Sequence, residues 1–268
     1  MRSGRTQQVL TARWAPGGST RVPDDLIVEE PLAIHLDGAL VATTMRTPGH
    51  DFELAVGFCH AEGLLADAPV RAVRYCATGS AVDTEFNVVT VDTGGMAPAP
   101  RPRLGSIGSA CGLCGNVAID ELCVRLARVT AAPFPLEVLA VAPDAVRDAQ
   151  TLFACTGAVH AAAAIARDGT VSHVREDIGR HNAVDKVVGR LHLDGSLPAS
   201  ALALFVSGRA SFEMVQKAWA AGFAAVVAVS APSALAVDTA RAAGITLAGF
   251  ARDGRMNVYV DAHDEERP

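Results

Sequence analysis

The sequence predicts an α/β protein, a layered α/β domain preceded by a smaller β-rich portion. Two observations carry that expectation. From residue 160 onward, short apolar runs at 160–166, 202–206, 225–230, 245–250 and 257–260 alternate with helix-like stretches at 184–191, 211–221 and 233–243. That rhythm belongs to a sheet with parallel neighbours covered by helices on its faces. Half of the 268 residues are hydrophobic, enough to fill such a core. The expected division is a β-rich portion over 1–92, a mobile tether over 93–110 and the α/β domain over 111–268.

Taken in order, residues 1–24 read as a loose start or an edge strand. Runs at 26–30 and 32–36, split by Pro31, read as short strands, and Asp37-Gly38 as a hairpin turn into 39–45. Thr47-Pro48-Gly49-His50 breaks the chain ahead of a helix over 51–65, with Phe52, Leu54, Val56 and Phe58 apolar and its end near Gly63. Strands follow at 70–76 and 86–91. Residues 93–108, rich in Gly, Pro, Ser and Arg, show no apolar period, and a long loop of that kind is usually functional or disordered. Helices are expected over 116–128 and around 143–151, and a turn at Asp168-Gly169. No internal repeat is visible.

Composition narrows the function. A net charge of −6 with only 5% aromatic residues argues against a nucleic-acid surface with stacking platforms. Arg2, Arg5 and Arg13 are not followed by an apolar leader, so no signal peptide is expected. The most apolar run, 218–231, is alanine-rich, broken by Gly222 and too short to span a bilayer. The expected compartment is the cytoplasm, away from any membrane. Six cysteines, at 59, 76, 111, 114, 123 and 155, do not make a disulfide scaffold.

The chemistry concentrates in Ser109-Ala110-Cys111-Gly112-Leu113-Cys114-Gly115. Two thiols two residues apart, each followed by glycine, stand just before a helix start, where unpaired N–H groups and the positive dipole end favour thiolate. Half a zinc site, a dithiol redox pair and a sulfur carrier all remain open. A structural zinc needs two more ligands, and no second CxxC or HxxxH exists. His60-Ala61-Glu62 together with Cys111-x-x-Cys114 imitates the zinc deaminase pattern, although Ala110 stands where that pattern has proline. A zinc-dependent deaminase-like hydrolase is therefore the rival. Cys59, Cys76, Cys123 and Cys155 read as small buried hydrophobes.

Four further segments are more polar than a connecting loop needs. They are Thr156-Gly157-Ala158-Val159-His160, the passage 175–186 with Arg175, Glu176, Asp177, Arg180, His181, Asn182, Asp185 and Lys186, the triplet Ser207-Gly208-Arg209, and Phe250-Ala251-Arg252-Asp253-Gly254-Arg255. Three stand at strand ends and two present Arg beside Gly. Helix-start N–H groups with forked guanidinium donors make phosphate sites. Individually, Arg180 and Arg209 read equally as surface charges, and His160 and His181 as hydrogen-bonded core histidines.

These motifs match a pattern. The Cys-Gly-x-Cys-Gly core, Thr47-Pro48-Gly49 with Glu62-Gly63, Thr156-Gly157 with His160, the run from Glu176 to Lys186 and Ser207-Gly208-Arg209 resemble the FdhD/NarQ family of formate dehydrogenase accessory sulfurtransferases, over about residues 31–260. The resemblance implies a sulfur carrier that accepts persulfide sulfur from a cysteine desulfurase. It would pass that sulfur to the molybdenum cofactor, molybdenum bis-(molybdopterin guanine dinucleotide), needed by formate dehydrogenase. It also implies a cytidine deaminase-like α/β/α core without zinc chemistry or a structural metal, and a homodimer. Cys111 matches the persulfide-bearing cysteine and Cys114 its partner, and Phe250, Ala251, Arg252, Asp253, Gly254 and Arg255 match a cofactor-binding segment. Ser207, Arg209, Asp177, Arg180, His181 and Asn182 are the further candidates for contact with the guanine nucleotide or its phosphates. His60 departs from the family, which more often has a small or hydroxyl residue there, so it is not expected to ligate metal. A cofactor-sheltering chaperone without sulfur transfer is the non-enzymatic alternative.

Overall fold

The structure, a computed structural model, describes residues 4–76, 80–99 and 115–263, without the side chains of 115–118. It opens on an antiparallel hairpin of β1 (Thr6–Ala15) and β2 (Gly18–Ile27). Residues 1–24 were expected to be a loose start or an edge strand; they form two paired strands, and the pairing escapes sequence reading because both faces are largely exposed, so no apolar alternation marks them.

A four-stranded sheet follows, built from β3 (Glu30–Leu36), β4 (Ala39–Arg46), β5 (Ala72–Tyr75) and β6 (Val88–Asp92) in the order β4-β3-β6-β5, with α1 (Asp51–Ala61) against it. The Asp37-Gly38 turn has both residues at positive φ (47° and 88°), as a two-residue hairpin turn requires. Pro31 sits inside β3, at a position paired only with Met45 of β4, because pairing with β6 begins at Ala33. The missing N–H therefore breaks no second ladder. Leu32, Ile34 and Leu36 alternate inward to meet Leu54, Val56, Cys59, Val89 and Val91. Buried Arg46 binds Asp51 through Nε and Nη2 (both 3.2 Å), Glu30 at 3.1 Å and Asn87 at 3.0 Å, joining β3, β4 and α1. The stretch expected to be a tether starts firmly: Thr93 donates N–H and hydroxyl to Asp37, and its Oγ1 accepts from Met96 and Ala97 N–H.

The larger sheet has six strands in the order β12-β11-β10-β9-β7-β8. Ahead of it come α2 (Gly115–Arg125), α3 (Leu136–Arg147) and the single turn α4 (Thr151–Thr156). Then follow β7 (His160–Ala166), β8 (Val171–Asp177), α5 (Arg180–Leu193), β9 (Leu202–Val206), α6 (Phe212–Ala221), β10 (Ala225–Ala228), α7 (Ala234–Ala243), β11 (Thr246–Arg252) and β12 (Arg255–Val260). The strands β9, β10 and β11 run parallel through α6 and α7, as expected, while β7, β8 and β12 are antiparallel additions. Strand faces alternate cleanly. Ala162, Ala164, Leu204, Val206 and Val226 meet α5, α6 and α7, whereas Ala163, Ile165, Phe205 and Val227 meet Leu139, Ala142 and Val146 of α3. Both faces are covered, so the strands read as continuous apolar runs.

Two elements differ from expectation. The helix placed around 143–151 begins at Leu136 and carries Pro143 inside it. The strand β8 was not anticipated at all, because its polar Ser172, His173, Arg175 and Glu176 hide the period.

Helices α1 and α5 cross at a glycine pair. A Cβ on Gly57 would lie 1.8 Å from the Asp185 carbonyl oxygen, and one on Gly189 would lie 1.8 Å from that of Glu53. Beside the crossing, Arg175 of β8 forks onto the Glu53 carboxylate. Burial raises the Glu53 pKa, but Arg175 and the His50 ring outweigh it and hold it down at about 2, against an ordinary 4.5. A depressed carboxyl stabilises the fold above its unfolded pKa, and that contribution is lost as pH falls through the folded one. Glu53→Gln is therefore expected to flatten the loss of stability between about pH 4.5 and 2, read from urea midpoints across that range. Among the described residues no helix is long and apolar enough to cross a membrane.

Candidate functional site

The loops at the carboxyl ends of β9, β10 and β11 are stitched together. Ser230 N–H donates to the Gly208 carbonyl (3.2 Å), Ser233 N–H to that of Ala210 (3.1 Å), and Phe250 N–H to that of Ser230 (3.2 Å). Ligands of open α/β sheets bind at such an edge. Because β7 is antiparallel to β9, its first residue, His160, arrives at the same edge. Ser207 Oγ accepts from Ala161 N–H at 2.8 Å and pins the Ser207-Gly208-Arg209 loop beside it. A Cβ on Gly208 would stand 3.4 Å from His160 Nδ1 and 3.8 Å from Arg180 Cδ.

Two helices start here. The residues preceding α5 and α6, Gly179 and Ser211, make no side-chain cap hydrogen bond. Around these starts, Arg180 Nε, His181 Nε2 and Ser211 Oγ are buried without a hydrogen-bond partner in the protein. An unpaired buried donor costs about 1–3 kcal/mol, so a cluster of them beside helix N-termini suits an anion. Burial, then Arg180 and His181, push the His160 pKa down, which keeps its ring neutral near neutrality. Glu213 balances the cluster: its carboxylate is 3.9 Å from His181 Nε2, an ion-pair rather than a hydrogen-bond separation. The facing His181 is the largest influence holding Glu213 down, at about 2, against the opposing effect of burial. Ser211 and Glu213 were not anticipated; Ser211 at a helix start was the only legible signal.

The segment 250–255, expected between the last two strands, is the tip of the β11–β12 hairpin. Asp253 and Gly254 form its turn at φ 50° and 69°. An open cavity of about 570 Å³ lies there, lined by Phe250, Arg252, Asp253, Arg255, Met256 and Asn257. Phe250 is 45% exposed and held at φ 55°, a backbone conformation bulky residues rarely adopt. Ala251 is buried against the α3 side of the sheet and presents nothing to a ligand.

The charges of 175–186 divide by direction. Glu176 accepts from Leu152 and Phe153 N–H (2.9 and 2.8 Å) and caps α4. Asp177 accepts from Lys186 Nζ (2.7 Å), Thr47 N–H (3.1 Å), Gly179 N–H (2.8 Å) and Asn182 Nδ2 (3.0 Å). Asn182 Nδ2 also donates to the Met45 carbonyl at 2.7 Å, and its Oδ1 accepts from Thr44 at 3.2 Å. Asp177 and Asn182, expected as ligand contacts, are engaged within the protein, clasping the end of β4 to the start of α5. Asp185 accepts from Lys217 Nζ at 2.7 and 2.9 Å. That leaves Arg180 and His181 at the edge.

Cys111 and Cys114 lie outside the described residues. Among the other thiols, Cys59 and Cys76 are buried as expected, whereas Cys123 and Cys155 are exposed on α2 and α4. On α2 it is Leu122 that enters the core. Burial first, then the Asp185 and Glu62 carboxylates, push the Cys59 thiol up to about 12, which makes it inert. His60 Nε2 donates to the Ala220 carbonyl at 2.9 Å, and Glu62 lies 3.9 Å from Lys217 Nζ. The His-x-Glu pair thus has a structural use.

The chain matches the model of the FdhD/NarQ family over residues 27–265. It is 46% identical to the sulfur carrier protein FdhD of Streptomyces avermitilis, covering 96% of this chain and 95% of that one. With the sulfur carrier protein FdhD of Nocardia farcinica the identity is 47%, over 97% and 95%. In fold it is similar to the crystal structure of a protein assigned as a formate dehydrogenase accessory protein, from Desulfotalea psychrophila. That likeness has a TM-score of 0.76 at 22% identity and covers 96% of this chain and 97% of the other.

Proposed function

The chain belongs to the FdhD/NarQ family, and from that premise we propose that it is a sulfurtransferase carrying persulfide sulfur from a cysteine desulfurase to the molybdenum cofactor. The cofactor, in its bis-(molybdopterin guanine dinucleotide) form, is the substrate, and formate dehydrogenase is the destination. The observation that carries this reading is the gathering of Arg180, His181 and Ser211, with unpartnered donors, at one sheet edge. It occurs in a chain whose relatives are named sulfur carriers and whose Cys-Gly-x-Cys-Gly motif ends where α2 begins.

Cys111 thiolate attacks the outer sulfur of the desulfurase persulfide. A new S–S bond forms on Cys111, the old one breaks, and the desulfurase leaves as a thiolate, with no net oxidation. In delivery, Cys114 thiolate attacks Cys111 Sγ, a Cys111–Cys114 disulfide forms and the outer sulfur leaves as hydrosulfide to the cofactor. A cellular dithiol then reduces the disulfide. Arg180, Arg209, Arg252 and Arg255 serve the phosphates, with forked donors suited to them. Phe250 and the hairpin-tip cavity offer the guanine an apolar surface. The same reading has the protein working as a homodimer in the cytoplasm.

Incubation with a cysteine desulfurase and cysteine is expected to add one sulfur to the Cys111 peptide, read by mass spectrometry. Cys111→Ala abolishes that addition and formate dehydrogenase activation, and Cys114→Ala keeps the addition and slows release. A Cys111→Ala protein that still activated formate dehydrogenase would sink the transfer mechanism in favour of a sheltering chaperone. Arg180→Gln is expected to weaken binding of guanosine diphosphate about tenfold by calorimetry, the loss of one charge-assisted hydrogen-bond partner.

A further inference from the structure

The β1–β2 hairpin has two edges, and they are built differently. Val28 N–H donates to the Arg5 carbonyl at 2.9 Å, and the register runs from Thr6 opposite Ile27 to Ala15 opposite Gly18. Antiparallel pairs alternate between bonded and unbonded, so Gln7, Val9, Thr11, Arg13 and Ala15 bond to β2. Thr6, Gln8, Leu10, Ala12 and Trp14 turn their N–H and C=O groups outward, and among the described residues no other strand takes them. The outward set of β2 is blunted: Pro23, which has no N–H, stands at its middle between Arg21 and Asp25. No such guard stands on β1, which has no Pro, Lys, Asp or Glu and whose one charge, Arg13, belongs to the bonded set. Leu10 and Trp14 on that strand are 63% and 75% exposed. An isolated two-stranded ribbon is marginal in water, and a long unguarded edge is a template for another strand.

We propose that the β1 edge pairs with the β1 edge of a second copy of this chain, antiparallel about a two-fold axis at Leu10, giving a four-stranded sheet that crosses the dimer. In that register β1 complements itself, as a two-fold interface requires. Leu10 faces Leu10 of the copy, Gln8 faces Ala12 and Thr6 faces Trp14, so outward groups meet only outward groups. Between these rows Val9 faces Thr11 and Arg13 faces Gln7, which opposes no like charges. The charges also match along the rows. Ala12 lies opposite Arg21 within the hairpin, and Gln8 opposite Asp25, with Gln8 Nε2 within 3.5 Å of the Asp25 carboxylate. One row of the dimer therefore reads Arg21, Ala12, then Gln8 and Asp25 of the copy, positive at one end and negative at the other, twice by symmetry. All of the hairpin but its last residue precedes the portion that matches the family model, which begins at residue 27. The inference rests on the reading above only for its expectation of a homodimer, to which it assigns an interface.

The seam is about 30 Å long at 3.4 Å per residue, short of a standard interface, so a monomer–dimer equilibrium in the micromolar range is expected from sedimentation of the full chain. Leu10→Lys sets two ammonium groups face to face at the axis, and Leu10→Glu two carboxylates. Each is expected to weaken dimerisation about tenfold. Mixed in equal amounts, the two variants are expected to recover the dimer, because a lysine then faces a glutamate; misfolding of either chain would give no such recovery. Ala12→Pro deletes one outward N–H while sparing the bonds to β2, and is expected to weaken the dimer with Tm nearly unchanged. In the unaltered protein, hydrogen exchange at Gln8, Leu10 and Ala12 should slow as concentration rises, while that at Val9 and Thr11 stays constant. A chain that is monomeric throughout the range overturns the proposal, and so does a dimer indifferent to the charge at residue 10, which would put the interface elsewhere. Both outcomes leave sulfur transfer standing. A chain that dimerises this way but never loads Cys111 would remove the sulfur-carrier reading and keep the interface.

Discussion

Gly189→Ala is expected to destabilise the protein by about 3 kcal/mol or more, although alanine is the better helix former. Alone, the exchange within a helix favours alanine by about 1 kcal/mol. Here the added methyl would lie 1.8 Å from the Glu53 carbonyl oxygen and close to the Gly57 amide. A carbon–oxygen contact normally begins near 3.3 Å, so α1 and α5 must part by roughly 1.5 Å. Both elements are rooted in cores, α5 in that of the six-stranded sheet and α1 in that of the smaller one, and overpacking that displaces backbone lies at the upper end of its range. Thermal unfolding should show Tm lower by roughly 6–12 °C. Gly57→Ala should behave alike, and the double variant should lose less than the sum, because one separation of the helices accommodates both methyls. A Gly189→Ala protein as stable as the unaltered one would mean that the helices do not cross at this distance.

Lys186→Met is expected to cost about 3–5 kcal/mol, the usual consequence of stripping one partner from a buried pair. Lys186 and Asp177 are both completely buried, 2.7 Å apart, and Lys186 also donates to the Thr47 carbonyl at 3.0 Å. Burial pushes the lysine pKa down and Asp177 opposes it. Without the ammonium, Asp177 keeps three neutral donors against a full buried charge. Adding Asp177→Asn to Lys186→Met removes that charge while keeping an acceptor, so the double variant should be more stable than Lys186→Met alone in urea unfolding. If the order were reversed, the pair would not be the clasp between the end of β4 and α5.

That pair shows where sequence reading stopped. Its charges stood in a run with Arg180 and His181, and adjacency made all of them candidates for a ligand. Packing then separated them: every residue of α5 from Asn182 to Gly189 is buried, enclosed by α1, α6 and the sheet, while Arg180 and His181 sit at the helix start beside the strand-end loops. A polar residue enclosed by neighbouring elements carries no mark of burial in the sequence, and polar residues on every face conceal the helical period. For the same reason β8 went unseen, while the largely apolar β7, β9, β10 and β11 were found with small errors at their ends.

By itself the sequence determined the α/β class, the parallel centre of the sheet, the hairpin turn at Asp37-Gly38, the thiol motif and the resemblance to a family, all of which are written in local order. Tertiary structure alone decided that Asp177 and Asn182 hold the protein together while Arg180, His181 and Ser211 keep unpartnered polar atoms at the sheet edge. It also decided that Arg125 of α2 and Arg128 just beyond it donate to carbonyls at the ends of α1 and α7, some sixty and more than a hundred residues away. These depend on pairings between segments distant in the chain, and the free energy of such a pairing is set by geometry that neither partner carries alone.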